Sequence, residues 1–258
     1  MRAFSLLLSV VLLAGWLWLM GSSLPGPTSN NMPPLGTFLS PFQGFLQQAD
    51  AGPGEELQKT DMPGLVEGVQ VHFDERMVPH IFAENLNDAY AALGYVHAQF
   101  RLFQMDLVSR STAGRLAELL GPRLLARDRL QRRKGLLRST EQTVESWSRS
   151  SNYSHLEAYS AGYNAYLSEL KPRDYPIEFK LLNYEPEAWS PFRTALLLKS
   201  MALTLCSRNY DLAATNTRNA IGQERFDELY PDQMSIADPI IPATVEYPFI
   251  PQIGRAHV

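Results

Sequence analysis

The stretch "VQVHFDERMVPHIFAENLNDAYAALGYVHAQFRLFQMDLVSR", residues 69–110, decides the fold. It opens with alternation: Val69, Val71 and Phe73 fall on one side of an extended chain, as in a half-buried strand. "DERM" reads as a turn. "VPHIFA" reads as a second extended segment, in which Pro79 biases Val78 towards extended geometry and suits an edge strand. The period then changes. Ala89, Leu93, Val96, Phe100, Phe103 and Leu107 recur at steps of four and three, one continuous apolar stripe on a long helix that Asn87 or Asp88 can cap. Leu102 and Met105 fall off the stripe, so a second face is expected to be covered too, and its polar groups must then be satisfied internally. Asp106 and Arg110 stand four apart with the acid first, the favourable order for an intrahelical pair.

Downstream the helical pattern continues. "STAGRLAELLG" ends at Gly121, which can adopt a left-handed cap. Leu156, Tyr159, Tyr163, Tyr166 and Leu170 form another stripe. Ser190 followed by Pro191 is a good helix start, and that helix should run to about Cys206. Asn209 can cap one more, ending before Gly222. The stretch 239–251 carries no helical pattern.

Upstream, residues 3–20, "AFSLLLSVVLLAGWLWLM", hold no charge and follow Arg2, so residues 1–23 read as a signal peptide or membrane anchor, with Gly21 and Ser23 as small residues near a weak cleavage site. Residues 24–66 are rich in Pro, Gly, Ser and Asn and read as a linker, in which residues 41–48 can add one short helix. The folded portion is expected over residues 67–238, with an irregular tail at 239–251. Residues 252–258, "QIGRAHV", are what a common sequencing adapter encodes in one frame, so they read as library read-through, and His257 carries no functional weight. A native reading frame that runs unchanged through "IGRAHV" on resequencing would reject that.

The gross numbers narrow the function. With 258 residues, 45% hydrophobic and 19% charged, the chain can bury a core. A net charge of −4 gives no general reason to expect nucleic acid, and the basic run at 127–134 reads as a solvated helix face. The single cysteine, Cys206, excludes an internal disulfide and reads as an inert buried thiol. His72, His80, His97, His155 and His257 show no metal-ligand spacing, and His97 reads as a core histidine bonded to its neighbours. There is no phosphate-binding glycine loop, and no organic cofactor is expected. Composition and spacing alone therefore give an exported, mostly helical domain without a visible catalytic centre.

The motifs give more. "D…VPHI.A", "GY.HAQ.RL.QMDL..R" and "G.LAE.LG", followed by "YSAGYNAYL", "PIEFKLLNYEPEAWSP" and "MALTL", resemble in sequence and order the opening of penicillin acylases and acyl-homoserine-lactone acylases, over about residues 68–231. The resemblance implies an α+β fold, the N-terminal-nucleophile hydrolase arrangement of two sheets between helical layers, of which this portion is mostly helical with a short N-terminal strand pair. It also implies a precursor that cuts itself into α and β chains, the first residue of the β chain being the nucleophile and its own α-amino group the base. Backbone and Asn donors of the β chain hold the oxyanion. By that resemblance this chain is the α portion: it carries no catalytic residue, is inactive alone, and partners the missing β portion and a small N-acyl amide. It would meet the membrane through its N-terminal segment if that is uncleaved. Ser29-Asn30 and Ser151-Asn152 lack the preceding Gly of the family's junction and read as chance.

Two α-chain roles carry over by the same resemblance. Met201 and Leu205 match the helix that lines the acyl pocket, Leu205 standing where penicillin G acylases have an aromatic residue. Asp211 stands where the family places a carboxylate on a structural calcium ion, the other ligands lying on the β portion. Two departures stand out. Met77 replaces the usual Gly before "VPHI", at a cost of about 1–2 kcal/mol if that turn needs positive φ. Phe100 replaces the usual Asp of "AQDR", leaving Arg101 to find Asp106 or a backbone carbonyl instead. These departures leave a second reading open, a non-catalytic membrane-anchored binding or scaffold protein with acylase-like architecture.

Overall fold

The alternation at residue 69 becomes a strand, and the turn after it closes a hairpin. The computed structural model describes residues 2–23, 32–48, 57–59, 65–206 and 210–231. In chain order these form α1 (Arg2–Gly21), α2 (Leu35–Phe38), β1 (Leu57–Lys59), β2 (Val69–Phe73), β3 (Pro79–Phe82) and α3 (Leu86–Ala113). Then come α4 (Ala117–Leu120), α5 (Leu125–Arg133), α6 (Leu136–Trp147), α7 (Tyr153–Glu169), α8 (Ile177–Leu182) and α9 (Pro191–Cys206). A separate unit beginning at residue 207 holds α10 (Asp211–Ile221) and α11 (Gln223–Leu229). The expected cap at Asn209, the tail at 239–251 and the adapter-like residues 252–258 lie outside the described residues.

The hairpin pairs His72 with His80 and Phe73 with Pro79, in antiparallel register. The expected strand pair is β2–β3, and β1 adds a third strand by pairing antiparallel with β2, Leu57 opposite Val71. Within the stretch 24–66 the described residues hold α2 and β1, elements too short to carry a period that the sequence could reveal. A 3-10 turn at Phe45–Gln48 falls within the stretch where a short helix was expected. The β2–β3 turn needs a left-handed residue, and Met77 supplies it with φ 60°. The Asp74 carboxylate fixes that geometry, its Oδ1 accepting from the Arg76 and Val78 N–H groups at 2.9 and 2.8 Å.

The N-terminus of α3 is capped earlier than expected. Asn85 Oδ1 accepts from the Asp88 N–H at 2.9 Å, so neither Asn87 nor Asp88 is the cap. Asp88 instead sits fully buried inside the first turn and accepts from the Val66 and Glu67 N–H groups at 3.0 and 2.8 Å, clamping the strand entrance to the helix. Burial pushes its carboxyl up, but these N–H donors and the Asn85 amide outweigh it, and the group ends below the ordinary carboxylate value.

Of the apolar stripe expected on α3, only Val96 is fully buried; Phe100 is 41% exposed. The covered face is the one that held Leu102 and Met105. The reason lies in a neighbour that the local period does not reveal. α7 crosses α3 at Gly94 and Gly162, where a Cβ on either glycine would collide with the backbone carbonyl of Tyr159 or Ala91 on the facing helix. That close approach brings Tyr163 into the main core with Ala98, Leu102, Met105, Phe179 and Trp189. A second cluster joins Val69 and Val71 of the sheet to Ala92 and Val96 of α3. α3 ends at Gly114, left-handed at φ 67°, whose N–H returns to the Arg110 and Ser111 carbonyls. Gly121, expected as a left-handed cap, has positive φ but extended ψ (88°, 175°) and closes α4.

Candidate substrate groove

The polar groups enclosed by α3 find partners from distant sequence. Asp106, fully buried, receives Arg110 Nε at 2.8 Å, Arg193 Nη2 at 2.6 Å and the Tyr184 hydroxyl at 3.1 Å. Glu187 receives Arg110 Nη2 at 2.6 Å, Arg115 Nη2 at 2.9 Å and Arg193 Nη2 at 3.0 Å. Glu118 completes a balanced cluster of three carboxylates and three guanidinium groups through Arg115 at 2.8 Å. Burial pushes Glu187 up, but Arg115, Arg110 and Arg193 outweigh it and hold it below the ordinary value. The i, i+4 pair of Asp106 and Arg110 is thus one edge of a network that ties α3 to the first turn of α9.

The segment leading into α9 is fixed as well. Asn164 of α7 imitates a strand partner: its Nδ2 donates to the Trp189 carbonyl at 2.9 Å, and its Oδ1 accepts from the Trp189 N–H at 2.7 Å. The indole Nε1 donates to Thr194 Oγ1 at 2.9 Å. α9 therefore leaves the core in a set direction.

Along its second half α9 borders an open groove of about 450 Å³. His97, Arg101, Met105 and Val108 of α3 and Tyr159 of α7 line one side, with Leu197, Ser200, Met201 and Thr204 of α9 opposite. α3 is kinked beside the groove, because Arg101 has non-helical angles (φ −137°, ψ 19°). Phe100 turns instead to Phe73, ring centroids 5.6 Å apart, and Arg101 Nη1 donates to the Phe100 carbonyl at 3.2 Å while Asp106 serves Arg110 and Arg193. His97 Nδ1 lies 3.0 Å from the Tyr159 hydroxyl. Burial lowers the His97 pKa and raises that of Tyr159 to about 12, so near neutral pH the pair is an uncharged hydrogen-bonding edge beside apolar side chains. Such a groove can take an apolar chain and orient one polar group.

Met201 lines this groove and is 60% exposed; Leu205 is 72% exposed and lies one turn further along α9, outside the lining. Asp211 opens α10 and is exposed. Among the described residues no group of three His, Cys, Asp or Glu side chains could hold a metal ion. Two expectations are corrected. His97 faces the groove instead of the core, and Cys206 is exposed at the end of α9. His80 Nε2 lies 3.7 Å from Asp74 Oδ2 at the hairpin, and His155 Nδ1 lies 2.6 Å from Asn87 Oδ1. Asn164, Glu187 and Arg193 were not singled out in the sequence. Nothing in the local pattern marks them: Asn164 lies inside α7, Glu187 precedes α9 and Arg193 lies in its first turn.

The penicillin amidase family model matches residues 68–242, and the chain belongs to that family. It is 41% identical over 146 residues to a penicillin acylase 2 proenzyme from Pseudomonas sp. (strain SE83), covering 57% of this chain and 18% of that protein. It is 31% identical over 175 residues to the acyl-homoserine lactone acylase QuiP from Pseudomonas aeruginosa, covering 66% of this chain and 20% of the relative. The chain thus spans about a fifth of the length of the curated relatives it matches. Among solved structures, a thermostable penicillin G acylase chain from Alcaligenes faecalis superposes with a TM-score of 0.56 at 31% identity, covering 72% of this chain and all of that one. The fold is accordingly that of the N-terminal-nucleophile hydrolases, and this chain contributes a mostly helical part of it.

Proposed function

We propose that this chain is the α portion of an exported amidohydrolase that cleaves small N-acyl amides through an acyl-enzyme, the nucleophile being supplied by a β portion of the same precursor. The observation that carries this reading is the groove: α9 is anchored at its first turn by Asp106 and Glu187 and presents Met201 across from Met105 and Val108 of α3, with the polar His97, Arg101 and Gln104 beside them. That is half of an acyl site, with the reacting atoms to come from the other side. Met201 would contact the acyl chain first, and Leu205 would extend the apolar wall once a partner segment closes over it. The carbonyl carbon would be attacked by the β-portion nucleophile, its proton passing by way of the adjacent α-amino group to the nitrogen of the amine as the C–N bond breaks, and water would then cleave the acyl ester to release the acid. Nothing among the described residues of this chain is assigned a step in that transfer.

Both departures from the family pattern are absorbed locally, which favours the enzyme over a non-catalytic scaffold. Met77 adopts the left-handed turn, and Phe100 fills a sheet–helix contact with Phe73. The test is hydrolysis of a panel of N-acyl substrates by the full-length protein, with detection of an acyl ester by mass spectrometry. Turnover with an ester outside this chain supports the reading; a folded full-length protein that hydrolyses none of the panel refutes it. The calcium role of Asp211 is part of the proposal. A lone carboxylate supplies at most two of the six to eight oxygens the ion takes, so the remainder must lie elsewhere in the full-length protein. Calcium should raise the full-length melting midpoint, and Asp211→Asn should remove the rise; an equal rise in both proteins excludes Asp211.

A further inference from the structure

From Ala3 to Ala49 the sequence contains no Asp, Glu, Lys, Arg or His. The uncharged tract thus continues well past the apolar helix. α1 itself has a mean hydropathy of 2.1 over Phe4–Gly21, with none of that window buried, and is long enough to cross a membrane. Trp16 and Trp18, 56% and 63% exposed, sit in its last two turns, where indole rings favour the boundary between lipid and water. α2 packs directly on this end of α1: a Cβ on Gly36 would meet the backbone carbonyl of Met20.

Residues 35–48 are partly held and partly open. Lys180 of α8 donates to the carbonyl of the buried Gly44 at 3.0 Å, and within the segment Phe38 stacks on Phe45 with centroids 5.4 Å apart. Leu39, Phe42 and Leu46 are exposed by 45%, 79% and 45%. These exposed apolar residues follow directly on α2, which packs on the helix end that the tryptophans mark as the interface.

From this continuity we infer that residues 35–48 form a second membrane contact: Leu39, Phe42 and Leu46 enter the lipid interface beside α1, and Lys180 fixes the folded body above it. The partner is a lipid surface, recognised by its apolar layer and not by its charge, because the segment has no charged residue. The contact belongs to the body and persists when α1 is removed.

The test uses the full-length protein with a protease site placed within residues 24–31. After cleavage, the part without α1 is floated with vesicles of pure phosphatidylcholine. It should float with them, at low and high salt alike. The Leu39→Ser/Phe42→Ser/Leu46→Ser variant should float about tenfold less while keeping its melting midpoint. A Phe42→Trp variant should add blue-shifted emission when the vesicles are added. If a signal peptidase already removes α1, the mature protein is floated without cleavage, with the same expectations. The inference is overturned by a cleaved wild type that stays in solution, by a triple variant that floats equally well, or by Phe42→Trp emission that is indifferent to vesicles.

Discussion

The two ends of α9 follow opposite rules. At its start Arg193, Ala195 and Leu196 are buried, and Arg193 shares two carboxylates with Arg110. From its middle onward Leu198, Met201 and Leu205 are 51%, 60% and 72% exposed, and Cys206 lies open. One helix thus joins a completed interior to an uncovered apolar face. Large exposed apolar faces of this kind mark surfaces that another segment covers. The difference separates the half of α9 that this chain holds in place from the half that it leaves open.

The sharpest way to break the comparison is at the buried end. Asp106→Ala removes the only fully buried carboxylate of the network, leaves Arg193 and Arg110 to the half-exposed Glu187 and Glu118, and should lower the stability of the full-length protein by about 3–5 kcal/mol in chemical denaturation. A loss below about 1 kcal/mol would mean that the network does not hold α9. Next come Gly94→Ala and Gly162→Ala, each forcing α3 and α7 apart at a backbone contact, with an expected loss of about 2–3 kcal/mol by the same measurement. Met77→Gly should instead gain about 1 kcal/mol by relieving the left-handed turn, read as a higher denaturation midpoint.

The exposed end should behave differently. Met201→Ala is expected to change stability by less than about 0.5 kcal/mol and yet raise KM for long-chain more than for short-chain N-acyl substrates. A loss of stability matching that of Asp106→Ala would erase the contrast. The smallest effect concerns pH. His97 is held below its ordinary value, so the folded state resists protonation, and stability should decline as pH falls through the unfolded value of about 6.5. His97→Gln should flatten that part of a denaturation-against-pH curve.

Much of the buried half was legible in the sequence, and its partners were not. The alternation at Val69, Val71 and Phe73 and the Ser190-Pro191 helix start mark elements that the structure contains, because each is a local pattern. The face of α3 that is buried was misjudged, since Gly94 and Gly162 decide it through a contact between helices remote in sequence. Asn164 and Glu187 were invisible for the same reason: their meaning lies in Trp189 and in three arginines brought together by folding. β1 was hidden by brevity. At the groove, family resemblance pointed to Met201, while His97, which faces it beside the kink in α3, reads from the sequence as a core histidine, and Arg101 as a group in search of Asp106 or a backbone carbonyl.

The central claim is that this chain provides one wall of an acyl site and none of its reacting atoms. The most direct measurement compares residues 65–231 alone with the full-length protein on the same N-acyl substrates under single-turnover conditions. The account predicts an acyl-enzyme and product release from the full-length protein, and neither from residues 65–231. Hydrolysis by residues 65–231 alone, with an acyl group trapped on one of their own side chains, would contradict it.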